Sequence, residues 1–277
     1  MQGLAQAIER NVSAALDEDV GSGDLTARLI PADASAGARI VTRSDAVLCG
    51  TAWVETCFRR LDPQVDIRWF AAEGTLVSAG QPLCALHGNA RALLTGERTA
   101  LNFLQLLSGV ATLTRRYVDA VRGTRAKILD TRKTLPGLRV AQKYAVMTGG
   151  GINHRMGLFD ALLIKENHLA AAGGIPAALR AAAAAPYGAW IQVEIETLEQ
   201  LSAAIAAGAK LILLDNMSPA QMREAVALAA GRAELEASGG ITLANVREIA
   251  ETGVDRISIG SLTKDVKAAD LSMRFDA

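Results

Sequence analysis

The stretch WIQVEIETLEQLSAAIAAGAKLILLDN, residues 190–216, decides the fold of this chain. It begins with an apolar run typical of a strand, continues with apolar residues at helical spacing, and ends in a second apolar run. Two strands joined through a helix by short loops indicate parallel pairing, because parallel neighbours need a crossover connection. The stretch therefore predicts an α/β fold.

The same alternation extends from residue 126 almost to the end of the chain. Strand patterns lie at residues 126–130, 160–166, 190–196, 210–215, 233–238 and 255–260. Helical patterns lie between them at 139–148, 175–185, 198–208, 218–231 and 242–253. An open doubly wound sheet usually carries a glycine fingerprint after its first strand, whereas DTRKT follows the first strand here. We therefore predict an α/β barrel.

Residues 1–108 show a different pattern. The first twenty residues predict an amphipathic surface helix, because apolar residues recur at every fourth position and charges interrupt the run. Residues 37–50 predict a strand pair, and short strands with glycine turns follow. We expect an antiparallel sheet with helices packed on it. The chain is thus predicted to form two domains, 1–108 and 109–277.

The composition excludes several classes of function. Twenty-nine basic residues balance 29 acidic residues, which argues against a general nucleic-acid binder. No stretch is long and apolar enough to span a membrane, and the N-terminus does not have the pattern of a signal peptide. The three cysteines form no CxxC motif, so we expect free thiols in a reducing cytoplasm.

Polar residues or glycine follow all six predicted barrel strands. In chain order, the strand ends read DTRK (130–133), KENH (165–168), EIE (194–196), DN (215–216), SGG (238–240) and GS (260–261). One such end is explained by a helix cap. Six together indicate an active site, because the carboxyl ends of barrel strands converge on one face.

The residue types at these ends suggest an anionic ligand. The basic residues expected to converge are Arg132, Lys133, His154, Arg155 and Lys165. Arginine forks suit carboxylates and phosphates. A surface ion pair is the better explanation of a lone arginine, whereas the clustering of five basic residues favours a binding site. The stretch TGGGINHRMG, residues 148–157, is expected to turn tightly and aim His154 and Arg155 into the site.

Two further features of the strand ends suggest a metal and a phosphate. Glu194 and Asp215 follow neighbouring strands and are suited to hold Mg²⁺, directly or through water. The alternative is that they only neutralise nearby lysine and arginine. The glycine-bearing ends at 238–240 and 260–261 resemble the phosphate loops that follow the last strands of many barrels.

Taken together, the motifs resemble the quinolinate phosphoribosyltransferases, or carboxylating nicotinate-nucleotide pyrophosphorylases. The matching motifs include LDEDVGSGDLT (16–26), GERTALNFLQLLSGVAT (96–112), LDTRKTLPGLR (129–139), KYAVMTGGGINHRMGLFDALLIKENH (143–168) and ISIGSLTKDVKAADLSMRF (257–275). They cover nearly the whole chain in family order. The resemblance implies an N-terminal α/β open sandwich and a C-terminal incomplete α/β barrel of six to seven strands. It also implies a homodimer or a higher homo-oligomer, whose site is completed by the partner's N-terminal domain.

The resemblance implies a reaction in NAD biosynthesis: quinolinate and phosphoribosyl diphosphate give nicotinate mononucleotide, diphosphate and CO₂. It places Lys133, Glu194 and Asp215 in catalytic roles, with Mg²⁺ as cofactor at the two carboxylates. The role of Lys264 is left open, because the family varies there. The full set of residues that it implies for substrate binding is Arg98 (from the partner), Thr131, Arg132, Lys133, His154, Arg155, Lys165, Glu194, Asp215, Ser238, Gly239, Gly240, Ile259, Gly260 and Ser261.

Three alternatives stand beside this interpretation. A related phosphoribosyltransferase would act on another ring acid such as nicotinate, although the dense basic cluster favours two carboxylates over one. A non-catalytic relative from molybdenum-transport loci lacks parts of the KENH and HRMG motifs, and both are intact here. A phosphate-binding barrel isomerase or aldolase does not explain the conjunction of Arg132, Arg155 and Lys165.

Overall fold

The structure is a computed structural model that describes residues 3–184 and 190–276. All six predicted barrel strands are present, each within two residues of its predicted ends. The helix predicted at 175–185 is observed as Ile175–Ala183, and its last predicted residue, Ala185, lies outside the described ranges.

The first part of the chain contains α1 (Leu4–Val20), β1 (Ser35–Thr42), β2 (Ala46–Val47), α2 (Thr51–Leu61), β3 (Asp66–Trp69), β4 (Leu76–Val77), β5 (Pro82–Asn89) and α3 (Ala90–Ala120). It is followed by β6 (Lys127–Leu129), α4 (Arg139–Thr148), β7 (Ala161–Ile164), α5 (Glu166–Ala172), α6 (Ile175–Ala183) and β8 (Trp190–Ile195). The remaining elements are α7 (Leu198–Ala206), β9 (Leu211–Asp215), α8 (Pro219–Ala229), β10 (Glu234–Ser238), α9 (Val246–Glu251), β11 (Arg256–Ser258), α10 (Ser261–Lys264) and β12 (Leu271–Phe275).

These elements form two compact units that are interleaved in sequence. The first contains residues up to Arg115, Thr134–Gly150 and the chain from Leu262 onward. The second contains Arg116–Lys133 and Gly151–Ser261. Helix α4 therefore belongs to the first unit although it follows a barrel strand in the chain. Strand β12 also belongs there.

The first unit is built on an antiparallel sheet with the strand order β12-β1-β5-β3. Helix α1 buries Ile8, Val12 and Leu16, as the four-residue spacing predicts. The predicted strand pair over 37–50 is wrong in its pairing: β1 pairs with β5 and β12, while β2 pairs with β4. Both edges of β1 are occupied by strands that are distant in sequence, so no edge is left for its neighbour β2.

The second unit contains six parallel strands in the order β6-β11-β10-β9-β8-β7. The first strand in the chain, β6, thus lies beside the last, β11, as in a barrel. Among the described residues the end strands β6 and β7 do not pair with each other; β6 instead forms an isolated bridge from Leu129 to Ile152. The predicted combination of an antiparallel sheet and an incomplete parallel barrel is confirmed.

The three cysteines are free and buried, as expected. Burial raises the pKa of the Cys57 and Cys84 thiols to about 12 each and raises that of Cys49 well above its ordinary value. These residues are therefore neutral thiols that fill space in the first unit. Within the described ranges, no helix has both the length and the apolar character needed to cross a membrane.

The structure explains two of the three glycines that precede the His154 segment. A Cβ atom at Gly149 would lie 2.5 Å from the carbonyl oxygen of Ala111 and 2.7 Å from Cβ of Thr114, so the end of α4 needs glycine to approach α3. Gly150 has a φ of 94°, in the left-handed region that favours glycine. Close approach thus accounts for Gly149, and a sharp turn accounts for Gly150.

Gly149→Ala is expected to lower the free energy of unfolding by about 1–3 kcal/mol, the usual cost of overpacking. Gly149 has an ordinary helical φ of −72°, so without the close approach to α3 alanine would stabilise the protein by restricting the unfolded chain. The sign of the change therefore tests the packing. Urea unfolding of both proteins measures it, and an unchanged or increased free energy would contradict the α3–α4 contact.

Candidate active site

A cavity of about 270 Å³ lies at the carboxyl ends of the barrel strands. Side chains from all six strands or the segments that follow them contribute to it. The lining residues are Thr131, Arg132, Lys133, His154, Arg155, Leu163, Lys165, Glu194, Leu213, Asp215, Glu236, Ser238 and Ser258. The strand ends that are separated in sequence thus meet at one site.

The structure brings most of the predicted site residues together at this cavity. Those that line it are Thr131, Arg132, Lys133, His154, Arg155, Lys165, Glu194, Asp215 and Ser238. Others follow β10 and β11 directly in the chain without lining the cavity, namely Gly239, Gly240, Ile259, Gly260 and Ser261. Arg98 is an exposed residue on α3 in the first unit, whereas the cavity is formed by the second.

The basic residues that line the cavity are of the types that suit an anionic ligand. Arg155 is only 9% exposed, and its Nη1 donates a hydrogen bond to the carbonyl oxygen of Ala161 at 3.2 Å. Loss of solvation and the nearby charge of Arg132 both lower the pKa of Arg155, while Asp160 opposes them. Two guanidinium groups that repel each other in a partly buried site are favourably placed to bind an anion.

Two buried or half-buried acids hold the segment that carries His154 and Arg155. Asp130, which is fully buried, accepts a hydrogen bond from the main-chain N–H of His154 at 2.8 Å. Asp160 accepts from the main-chain N–H groups of Met156 and Gly157 at 2.7 and 2.9 Å. These carboxylates bind the backbone and thereby fix the course of the segment, and the charge of Asp160 also acts on Arg155.

The acids at the ends of β8 and β9 interact with the basic residues and with each other. Lys165 Nζ lies 2.7 Å from Glu194 Oε2. Burial raises the pKa of Asp215, and the charge of Glu194 raises it further, against the opposing effects of Lys165, Lys133 and a hydrogen bond from Asn216. That bond joins Asn216 Nδ2 to Asp215 Oδ2 at 2.9 Å. Asp215 thus carries its charge at an energetic cost.

Close packing also explains glycines in the two segments predicted to bind phosphate, residues 238–240 and 260–261. A Cβ atom at Gly260 would lie 3.2 Å from Cδ of Lys133, whose main-chain N–H is bound by Thr131 Oγ1 at 3.0 Å. A Cβ atom at Gly239 would overlap the side-chain oxygen of Asn216. Both glycines therefore leave room for a side chain that faces the cavity or supports a residue facing it.

Sequence reasoning missed several residues that line or support the cavity. Gln192 and Glu236 lie within strands and are each 1% exposed, and Glu236 lines the cavity together with Ser258, Leu163 and Leu213. A signal was present: side chains alternate along a strand, so Gln192 shares a face with Glu194, and Glu236 with Ser238. A polar residue two positions before a site residue of the same strand is therefore expected to face the barrel interior as well.

The comparisons with known proteins identify the family. Residues 24–108 match the family described as "Quinolinate phosphoribosyl transferase, N-terminal domain", and residues 110–274 match the corresponding "C-terminal domain". The chain belongs to the quinolinate phosphoribosyltransferase family. The family predicted from the motifs is thus confirmed, and the two matched regions together cover most of the chain.

Similar proteins come from several bacteria. A Bacillus subtilis protein named "Probable nicotinate-nucleotide pyrophosphorylase [carboxylating]" is 47% identical over 92% of this chain and 89% of its own length. A Mycobacterium leprae protein named "Nicotinate-nucleotide pyrophosphorylase [carboxylating]" is 45% identical over 94% of each chain. The solved structure of the Francisella tularensis nicotinate-nucleotide pyrophosphorylase is similar at a TM-score of 0.95 and 44% identity, over 98% of this chain and 96% of that one.

Asp215→Asn is expected to raise the thermal unfolding temperature of the ligand-free protein at neutral pH. The pKa of Asp215 is raised by folding, so its ionised form destabilises the folded state above that pKa. Below the ordinary pKa of an aspartate both states are protonated, and the effect of the carboxylate is absent. The difference between variant and wild type should therefore narrow as the pH is lowered. A difference in unfolding temperature that widens as the pH is lowered would contradict the raised pKa of Asp215.

Proposed function

We propose that this protein transfers the phosphoribosyl group of phosphoribosyl diphosphate to quinolinate and releases CO₂, giving nicotinate mononucleotide and diphosphate for NAD biosynthesis. Membership of the family supports the reaction. The observation that carries it in the structure is the single cavity in which Arg132, Lys133, Arg155 and Lys165 face Glu194 and Asp215. Such a site suits two anionic substrates and a divalent cation.

Quinolinate is a flat dianion with carboxylates on adjacent ring carbons. Arg132 and Arg155 offer planar forks that bind a carboxylate through paired hydrogen bonds, and Lys165 adds a point charge. Partial burial of Arg155 strengthens such contacts because less water competes for the charge. We propose that these residues bind the two carboxylates and orient the ring nitrogen toward the sugar.

Lys133 and the segments after β10 and β11 are proposed to bind phosphoribosyl diphosphate. The absence of a side chain at Gly260 leaves room for the Lys133 side chain beside the last strand end, where a lysine suits a phosphate as a point charge. Ser238 lines the cavity next to Asp215, its partner in the parallel register. We propose that the glycine-bearing segments bind the 5′-phosphate, as the family resemblance implies.

The carboxylates fit a Mg²⁺ ion. Glu194 and Asp215 repel each other enough to contribute to the raised pKa of Asp215, and a cation between them would relieve that repulsion. The described residues contain no group of three or more His, Cys, Asp or Glu side chains that could hold a metal, so a Mg²⁺ ion here would need water and substrate oxygens to complete its coordination. When bound, Mg²⁺ stabilises negative charge on the diphosphate.

The protein's own residues act by positioning and by electrostatics. The pyridine nitrogen attacks the anomeric carbon of the ribose as its bond to diphosphate breaks. Glu194 and Asp215 stabilise the positive charge that develops on the sugar, and Lys133 stabilises the leaving group. The nitrogen becomes cationic, so the ring accepts the electron pair when the C2 carboxylate leaves as CO₂, and C2 then takes up a proton. We propose that transfer precedes decarboxylation.

We further propose a homodimer in the cytoplasm. Arg98 is exposed on α3, and the family resemblance assigns it to the site of the partner subunit. The buried free thiols of Cys49, Cys57 and Cys84 support a reducing compartment.

Release of CO₂ from carboxyl-labelled quinolinate tests the reaction. Release is expected only when phosphoribosyl diphosphate and Mg²⁺ are both present, and nicotinate in place of quinolinate should not lead to release of diphosphate. Arg155→Ala should lower kcat/KM for quinolinate about 10- to 100-fold, the loss of a hydrogen bond to a charged group. Arg223→Ala, which removes a surface ion pair with Glu248, is the matched control. Failure to release CO₂ would overturn the proposal, and release of free nicotinate would overturn the proposed order of steps.

Gly239→Ala is expected to lower kcat/KM for phosphoribosyl diphosphate at least tenfold, because the new methyl group would displace Asn216 and, through it, Asp215. Gly208→Ala is the matched control: Gly208 also has a positive φ, of 86°, but has open space around it. Steady-state kinetics of both variants separate the contact from backbone strain. Equal effects of the two substitutions would exclude a specific role for the Gly239–Asn216 contact.

A further inference from the structure

A chain of buried polar groups crosses the interior of the barrel beside the cavity. His154 Nε2 lies 2.9 Å from Gln192 Oε1, and Gln192 Nε2 donates to Glu236 Oε2 at 3.0 Å. Gln192 and Glu236 are 1% exposed and His154 is 8% exposed. Burial of three such groups costs free energy unless each is satisfied, so their arrangement requires an explanation.

The directions of the hydrogen bonds define the state of the His154 ring. The main-chain N–H of Arg155 lies 2.8 Å from His154 Nδ1 and can only donate, so Nδ1 is the acceptor and carries no proton. The ring proton is therefore on Nε2, which donates to Gln192 Oε1. The opposite orientation of the Gln192 amide would set its oxygen against the Glu236 carboxylate, so Glu236 selects the orientation.

This arrangement occupies both nitrogens of His154 with protein partners. The ring also packs edge-on against Trp190, with centroids 5.1 Å apart. Oε1 of Glu236 lies 3.6 Å from His154 Nε2 and has no hydrogen-bond partner among the described residues, so its charge favours a ring that keeps the proton on Nε2. Through Nδ1, the same ring holds the main chain of Arg155, whose guanidinium lines the cavity.

We propose that Gln192, oriented by Glu236, is a positioning residue that fixes His154 as the Nε2–H tautomer and thereby places Arg155 for quinolinate. His154 then supports the site from within the barrel and donates no hydrogen bond to the substrate carboxylates. That Arg155 binds quinolinate rests on the proposed function. The tautomer of His154 and its dependence on Gln192 do not rest on it.

The ring nitrogens of histidine in ¹⁵N-labelled protein test the tautomer without turnover. The chain has only three histidines, and His87→Gln and His168→Gln assign the signals. His154 is expected to show the Nε2–H tautomer at neutral pH, and to keep it when quinolinate is added. A protonated Nδ1, a charged ring or a change of tautomer on adding quinolinate would overturn the proposal. Absence of turnover by the wild type would instead overturn only the proposed function.

Gln192→Met tests the link to Arg155, because methionine has similar length and no amide. Without the Gln192 amide the His154 ring should be free to turn away from the Arg155 main-chain N–H, so the variant should lose the single Nε2–H tautomer. It should also raise the KM for quinolinate about tenfold, the effect of roughly one hydrogen bond, with the KM for phosphoribosyl diphosphate within about twofold. Gln64→Met, at an exposed position, is the control for the substitution. An unchanged tautomer, or an equal rise in both KM values, would overturn the proposal.

Glu236→Gln provides a second test that does not depend on the folding of Gln192→Met. Glutamine has the same shape and can still accept from the Gln192 amide, so the variant should retain the Nε2–H tautomer. Glu236→Met removes the acceptor of the Gln192 amide, so this variant should lose the single Nε2–H tautomer of His154. Retention of the tautomer in Glu236→Met would show that Glu236 does not orient Gln192, which would overturn that part of the proposal.

Discussion

The structure of the barrel unit depends on the parallel alignment of its strands, which brings six carboxyl ends to one edge of the sheet. Charges that are far apart in sequence are thereby placed in direct contact, as in the 2.7 Å pair of Lys165 and Glu194. In a partly buried cavity such charges need partners, since unpaired ones cost several kcal/mol. The mixture of bases and acids around this cavity thus lets these charges compensate one another in the folded protein.

Not every acid near the ends of the barrel strands is proposed to bind a ligand. Asp130 and Asp160 use their carboxylates to bind main-chain N–H groups and thereby hold the segment around His154 and Arg155. Glu194 and Asp215 instead face the cavity, and the raised pKa of Asp215 reflects their proximity. The same residue type therefore has a structural role at one strand end and a proposed chemical role at the next. Only the direction of the side chain distinguishes the two.

Several charged groups in the site lie in environments that destabilise the ligand-free protein. The ionised Asp215 is partly desolvated, the buried Glu236 carboxylate lies in the barrel interior, and two arginines repel each other. Such features are typical of functional sites, where stability is lost in return for a preorganised charge distribution. The buried chain from Glu236 to His154 extends this organisation into the interior and links it to the main chain of Arg155.

The sequence by itself determined the α/β class, the six barrel strands, their polar ends and the family, because strand and helix periodicity and local motifs depend on neighbouring residues. It also indicated most of the residues that line the cavity. Tertiary structure alone decided that β1 pairs with β5 and β12 instead of β2, that α4 joins the first unit, and that Gln192 and Glu236 meet His154. These pairings depend on which segments bury their apolar faces against one another. The segments are distant in sequence, so no local pattern shows which of them will pair.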